Sequence, residues 1–205
     1  MFMMTKSRLE GFTDGILVII FTIMILEFKV PNSSNITAIL KQFPYFIAYS
    51  IGWLFLGEAW YNHLYIASKI HRVTHKLFVI NALWLFTTSF LPLATAWIGQ
   101  DLSARGTEIF YGLVFLVWTA AFLLLVFTAI LDNQKLGRLQ EAEDLRQMRI
   151  VRYLTNPFAI VSQGLAWLLI LIFAPQFQLV IMVWQILFIA GRTNVDIDRQ
   201  HSLNR

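Results

Sequence analysis

The chain alternates between long apolar stretches and short polar ones, and this pattern predicts membrane-spanning helices. A transmembrane helix needs about 20 mostly apolar residues, because the hydrocarbon core is about 30 Å thick and each helical residue rises about 1.5 Å. We therefore predict a single six-helix transmembrane domain over residues 1–205. Its spans are residues 9–28, 43–67, 77–98, 109–131, 150–173 and 176–191.

Residues 132–149 form the long polar connection between two predicted spans. The segment alternates acidic and basic residues, with Leu136, Leu139 and Leu145 at loosely helical spacing. It is either a helix that docks on a partner or a solvated extension of the neighbouring spans, with arginines facing the anionic inner leaflet. We favour the second interpretation and predict a cytoplasmic connector.

The first predicted span has the layout of a signal peptide. Lys6 and Arg8 precede an apolar run, as they would in such a leader. A cleavage site needs small residues after the run, and residues 26–31 (Leu-Glu-Phe-Lys-Val-Pro) supply none. We therefore expect this segment to be retained as the first helix.

Lysine and arginine residues are divided unevenly between the two sides that six spans define. With a cytoplasmic N-terminus, thirteen of the sixteen lie on the inner side, and Lys29, Lys41 and Arg105 lie on the outer side. Positive residues favour cytoplasmic loops. The pattern therefore predicts both termini in the cytoplasm, in a multi-pass protein of the cell (plasma) membrane.

Polar and ionisable side chains interrupt the first three predicted spans. These residues are Asp14, Glu58, Asn62, His63 and Asn81. Such groups are costly in a bilayer unless they are paired or hydrated, so each is a candidate functional position. The later spans contain only isolated glutamines, Gln163 and Gln185. We therefore expect the working part of the molecule in the first three spans.

One face of the first predicted helix carries a stripe of four residues. Ile19, Thr22, Ile23 and Leu26 lie within about 100° of one another on a helical projection. Asp14 falls on nearly the opposite side. The stripe is either a pore lining or an ordinary helix-packing or lipid-facing surface, and periodicity alone favours the second.

Asp14 has two interpretations of its own. If the stripe faced a symmetry axis, Asp14 would turn into its own subunit, where His63 or Asn81 could bind it. Alternatively, Thr13 or Asp14, followed by Gly15, could cap a helix N-terminus, which is worth about 1 kcal/mol.

Composition excludes several other classes of protein. The chain is 58% hydrophobic and 14% charged and has no cysteine. These values exclude a disordered chain, a disulfide scaffold and cysteine chemistry. The net charge of +4 reflects cytoplasmic lysines and arginines rather than nucleic-acid binding. Hydrolase, phosphate-loop and dinucleotide motifs are absent from the sequence, so we expect neither catalysis nor a cofactor.

The histidines do not indicate a resident metal. His71 and His75 are four residues apart, but they lie among basic residues without a nearby carboxylate. His63 has no second histidine at membrane depth with which to hold a haem. We therefore expect a solvated loop at the first two and a buried, hydrogen-bonded side chain at His63.

The start of the first span resembles a family signature. Residues 8–15 read Arg-Leu-Glu-Gly-Phe-Thr-Asp-Gly. They resemble the Arg-x-x-x-Phe-Ser-Asp-Gly signature of bacterial homologues of the endolysosomal potassium channel, the transmembrane protein 175 family. Thr13 stands where that family usually has serine and keeps the hydroxyl. Further matching pieces follow in order through residue 96: Leu26-Glu27, Pro31, Tyr49-Ser50, Trp60-x-x-His63, Asn81 and Phe90-Leu91-Pro92 with Thr95.

The resemblance implies an all-α integral membrane channel with six transmembrane helices per subunit. Four subunits would form a homotetramer whose central pore is lined by the first helix and conducts monovalent cations, preferring K⁺. Ile19 would be the main constriction, Thr22 a hydroxyl ring and Leu26 a second apolar ring, with Ile23 on the same face. Glu27 would lie at the outer mouth.

The resemblance also implies a network that fixes the first helix against the second and third. Its members would be Arg8, Phe12, Thr13, Asp14, Gly15, Trp60, His63 and Asn81.

Two other functions remain open on the sequence. In a secondary transporter, Asp14, Glu58 and His63 would form an intramembrane relay. Such transporters usually contain an internal repeat, and spans four to six repeat none of the polar pattern of spans one to three. A membrane scaffold without transport would leave Asp14 and Glu58 unexplained.

Overall fold

The helices follow the apolar segments closely over most of the chain. The computed structural model describes residues 4–101 and 104–174, and beyond them residues 177, 183, 184 and 187. Within these residues every regular element is helical. The elements are α1 (Lys6–Met24) with a 3₁₀ turn (Ile25–Glu27), α2 (Thr37–Leu40), α3 (Phe43–Ser68), α4 (His75–Thr88), α5 (Leu91–Gln100), α6 (Arg105–Lys135), α7 (Leu139–Gln147), α8 (Arg149–Thr155) and α9 (Pro157–Phe173).

Prolines mark the starts of three helices. Pro44, Pro92 and Pro157 occupy the first or second position of α3, α5 and α9. A proline is tolerated there because the first N–H groups of a helix have no intrahelical acceptor. Asn156 caps α9 by accepting a hydrogen bond from the Phe158 N–H at 3.0 Å.

Two predicted spans are interrupted in the structure. The span 77–98 consists of α4 and α5, which are separated at Ser89 and Phe90. The span 150–173 consists of α8 and α9, which meet at an angle of 70°. The residue before a proline disfavours the helical conformation, and Asn156, which precedes Pro157, is extended. This part of the chain therefore does not form a straight fifth span.

Three helical segments are long and apolar enough to cross a membrane. They are Lys6–Glu27, His75–Gln100 and Arg105–Lys135, and the bent pair α8–α9 is a fourth if it is one span. α3 has 26 residues and the length to cross, but its many polar residues keep it outside this group. The predicted sixth span, 176–191, lies almost entirely outside the described residues. The count of six therefore stays a prediction.

The core lies where α1, α3, α4, α5 and α6 meet. α1 packs against α3, α4 and α5, and α6 packs against α4 and α5 from the other side. Leu17, Leu56, Trp84 and Phe122 are fully buried in this core. α9 has no buried residue and is peripheral.

The connector folds back onto the turn between α3 and α4. α6 continues to Lys135, and α7 then packs Leu145 into the core. The Lys69 Nζ lies 2.7 Å from the Asp144 Oδ2, and the Asn133 side chain donates to the Lys69 carbonyl at 3.0 Å. We call these contacts the connector clamp. The predicted solvated extension is therefore a short continuation of α6 followed by a separate helix held against its own chain.

Candidate pore helix and its anchoring network

α1 has one buried face and one exposed face. One face is buried against the neighbouring helices: Leu9, Thr13, Leu17, Ile20 and Met24. The predicted stripe lies on the other side, where Ile19 is 55%, Ile23 41% and Leu26 75% exposed. A single chain therefore leaves the stripe without a protein partner among the described residues.

Thr22 is exposed within the stripe, but its hydroxyl hydrogen is used on its own helix. The Oγ1 lies 2.9 Å from the Ile19 carbonyl and 3.1 Å from the Val18 carbonyl. A threonine hydroxyl has one hydrogen and two acceptor lone pairs. The side chain therefore offers the stripe an oxygen that accepts, which suits a cation.

Asp14 binds a residue that the sequence did not predict as its partner. The Trp60 Nε1–H donates to the Asp14 Oδ1 at 2.8 Å, whereas His63 or Asn81 was expected. The capping interpretation is wrong, because α1 begins at Lys6 and Thr5 is its N-cap. Asp14 therefore lies within the length of α1, away from its first turn, and its side chain links α1 to α3.

A second chain of hydrogen bonds joins α1, α3 and α4. The Asn81 Nδ2 donates to the Thr13 Oγ1 at 2.8 Å, and the Asn81 Oδ1 lies 2.9 Å from the His63 Nε2. All three side chains are buried. The His63 ring stacks on Trp84 with 5.0 Å between ring centroids. These contacts fix the rotation of α1, so they also fix the direction of its exposed stripe.

The other signature residues lie at the edge of this network. Phe12 is 40% exposed, and its ring centroid is 5.9 Å from that of Phe78 on α4. Arg8 is exposed near the start of α1, and Gly15 faces open space. The structure therefore brings Thr13, Asp14, Trp60, His63 and Asn81 into contacts between helices, and places Arg8, Phe12 and Gly15 around them.

The two acidic residues outside the network occupy different environments. Glu27 is exposed at the end of the 3₁₀ turn that follows α1. Glu58 lies on α3, and its Oε2 is buried without a hydrogen-bond partner among the described residues. Asp14, Glu58 and His63 are not joined to one another by any hydrogen bond that the described chain shows.

Buried aromatic residues behind the network were missed from the sequence. Trp84 and Trp118 are buried. The Trp118 Nε1–H donates to the Thr88 Oγ1 at 3.0 Å, which links α6 to α4. Their central positions within the apolar segments, rather than at the ends, are the signal that could have identified them.

Comparison with known proteins finds similar chains. The family model described as endosomal/lysosomal potassium channel TMEM175 matches residues 8–92, which hold α1, α3 and α4. A curated potassium channel of Chryseobacterium sp. (strain P1-3) is 31% identical over 183 residues, covering 89% of this chain and 94% of the relative. The chain belongs to the TMEM175 family.

Two further proteins are similar to this chain. A curated potassium channel of Streptomyces collinus is 30% identical over 57% of this chain and 61% of its own. The crystal structure of a lysosomal potassium-selective channel TMEM175 homolog from Chamaesiphon minutus superposes with a TM-score of 0.72, over 92% of this chain and 98% of that one, at 23% identity. The helical membrane fold expected from the sequence is therefore confirmed.

Proposed function

We propose that this chain is one subunit of a potassium-preferring monovalent cation channel whose pore is lined by α1. The observation that carries the proposal is the exposed apolar stripe on α1, held in position by the buried Thr13–Asn81–His63 chain and the Asp14–Trp60 bond. The two bacterial relatives described above are named potassium channels. A channel of this family is not an enzyme, and its permeant K⁺ is a substrate of transport rather than a cofactor.

The pore needs more than one copy of the chain. One subunit supplies a single α1, and a ring of side chains around an axis requires several. We propose a homotetramer with its termini in the cytoplasm of the cell (plasma) membrane. An open apolar groove between α1 and α3, lined by Val18, Phe21, Tyr49, Trp53 and neighbouring residues, supports assembly, because it borders the stripe and offers a surface to a second copy.

The constriction is hydrophobic. Four Ile19 side chains around an axis form a ring that stops conduction by dewetting when narrow and passes partly hydrated ions when wider. Thr22 supplies acceptor oxygens one turn away, and Leu26 forms a second apolar ring. Glu27 at the outer mouth raises the local cation concentration, an effect that weakens as salt screens the charge.

A transporter relay receives less support from the contacts. Asp14 is bound to Trp60 and His63 to Asn81, so the three proposed relay groups do not form a continuous path. In the proposed channel the polar residues hold the helices together, and the stripe lines the ion pathway.

The substitution Ile19→Asn tests the constriction. A polar ring holds water where an apolar ring expels it, and a barrier lowered by about 1.4 kcal/mol raises flux about tenfold. We expect larger potassium flux into liposomes that contain the purified variant, with weaker discrimination against sodium. Leu116→Asn on α6 is the matched control, since Leu116 is 66% exposed but lies away from α1. Parental flux and selectivity in Ile19→Asn would overturn the pore assignment.

A further inference from the structure

The outer end of α1 changes its helical type just before the proposed pore mouth. α1 is α-helical to Met24, and residues Ile25–Glu27 form a 3₁₀ turn. The Phe28 N–H donates to the Ile25 carbonyl at 3.2 Å rather than to the Met24 carbonyl, which is its acceptor in a continuing α-helix. The turn therefore tightens at Met24, and Leu26 and Glu27 are placed by it.

A tyrosine hydroxyl binds the carbonyl at which this change occurs. The Tyr45 Oη donates to the Met24 carbonyl oxygen at 2.8 Å, in a buried position. A carbonyl oxygen has two lone pairs, so the hydroxyl does not exclude a backbone donor from it but ties the Met24 carbonyl to α3. A 3₁₀ turn has poorer hydrogen-bond geometry than an α-helix, so a bond from α3 that holds the Met24 carbonyl in its place in the turn stabilises that turn.

Tyr45 is itself held firmly in place. A Cβ atom at Gly99 on α5 would lie 2.6 Å from the Tyr45 Cδ2 and 2.9 Å from its Cα, so glycine permits this close approach of α3 and α5. The Phe28 ring meets the Tyr45 ring edge-on, with 4.4 Å between centroids. The close approach to Gly99 packs Tyr45 against α5, so the position of its hydroxyl is set by α3 and α5 rather than by α1.

The two helical types place the mouth residues differently. An α-helix turns about 100° and rises about 1.5 Å per residue, and a 3₁₀-helix turns about 120° and rises about 2.0 Å. Over the three residues from Met24 to Glu27 the difference is about 60° of rotation and about 1.5 Å of rise. A change of this size moves the Glu27 carboxylate around the helix axis.

We propose that Tyr45 is a positioning residue for the pore mouth, whose hydroxyl holds the outer end of α1 in the 3₁₀ turn that presents Leu26 and Glu27. The inference rests on the proposed function only in taking this end of α1 as a mouth. The hydrogen bond and the turn are properties of the single subunit.

Cysteine labelling tests the position of the turn directly. The chain has no cysteine, so Leu26→Cys and Glu27→Cys each provide one reactive thiol. We expect Tyr45→Phe to change the ratio of maleimide labelling rates at positions 27 and 26 by about fivefold, the shift that corresponds to one lost hydrogen bond. Tyr49→Phe is the control, because Tyr49 packs on the same Phe28 ring at 5.6 Å while the bond to Met24 comes from Tyr45.

A second variant tests the same point if Tyr45→Phe does not fold. Gly99→Ala keeps the Tyr45 hydroxyl but displaces the ring, because the added Cβ would lie 2.6 Å from the Tyr45 Cδ2. We expect the same change in the labelling ratio. If every variant that folds keeps the parental ratio of labelling rates, the proposed role of Tyr45 is wrong. Labelling reports the geometry of α1 whether or not ions pass. Absence of potassium current in the parent would instead overturn the proposed function and leave the labelling result standing.

Discussion

Asn81 on α4 connects to both α1 and α3. Its amide is both donor and acceptor, so it can bind Thr13 on α1 and His63 on α3 at the same time. Serine or threonine at position 81 would be too short to serve both neighbours. The Asp14–Trp60 bond adds a second point of attachment on α1.

Replacing Asn81 tests this role in the fold. Asn81→Ala leaves buried polar groups on Thr13 and His63 without partners, and we expect a loss of about 1–3 kcal/mol in unfolding free energy. Asn62→Ala is the control, because the buried Asn62 amide donates only within α3, to the Glu58 carbonyl at 2.8 Å. Thermal unfolding of both variants in the same detergent provides the comparison, and equal losses would contradict the special role of Asn81.

Single residues were predictable from the sequence where a polar side chain interrupts an apolar segment, because such a side chain is costly in a bilayer. Asp14, His63 and Asn81 interrupt apolar segments, and an intramembrane polar group indicates function or anchoring. Thr13 was indicated only by the family signature. The pairing of Asn81 with His63 and Thr13 was not predictable, because the partners are 18 and 68 residues apart and meet only once the helices pack. Trp60 shows the limit most clearly, since its indole could equally have served as an interface anchor.

At the scale of elements, helix existence follows from apolar length and helix breaks follow from proline. The spans at α1, α3 and α6 were predicted to within a few residues at most ends. Pro92 and Pro157 each lie at the start of a helix. The 70° bend before Pro157 was not predictable, because its size depends on how α8 packs against the core.

The connector clamp holds the turn between α3 and α4 to α6 and α7. Lys69 and Asp144 are 15% and 19% exposed, so water screens them only partly. Nearby, Glu141 accepts a hydrogen bond from Arg138 at 3.0 Å. A bond from its own backbone N–H, together with that from Arg138, holds the pKa of Glu141 below its usual 4.5. The Glu141 carboxylate is therefore suited to bind cationic side chains at neutral pH.

A double-mutant cycle tests the clamp. Lys69→Met and Asp144→Asn each remove one charge, and we expect a coupling free energy of about 1 kcal/mol between them. The cycle is measured by thermal unfolding at low and high salt, and the coupling should fall only partly with salt. A coupling of zero at low salt would show that the pair does not hold α7.

At the scale of the molecule, the exposed surface of one chain is too apolar for water. The α1 stripe and the face of α9 that carries Phe158, which is 80% exposed, are far apart in the sequence. We expect the two surfaces to have different neighbours. Lipid suits α9. A pore axis, with other subunits around it, suits α1. The composition predicted that the chain lies in a bilayer. The number of subunits was not predictable in the same way, because it depends on how the surfaces of several copies fit together.

Single-cysteine labelling also tests the orientation in the membrane. Ser33 lies in the exposed segment after α1, and Gln140 lies in α7. We expect a membrane-impermeant thiol reagent to label Ser33→Cys in intact cells and Gln140→Cys only after permeabilisation. The reverse pattern would place the connector outside and contradict the inference from lysine and arginine distribution.

The bi-ionic reversal potential tests the central claim most directly. Purified protein is placed in a planar bilayer with potassium on one side and sodium at equal concentration on the other. A channel of the proposed kind passes current that reverses at a potential whose sign shows potassium leaving its side more readily than sodium enters. A reversal potential of zero, a sign that favours sodium, or no current without a counter-substrate would contradict the account.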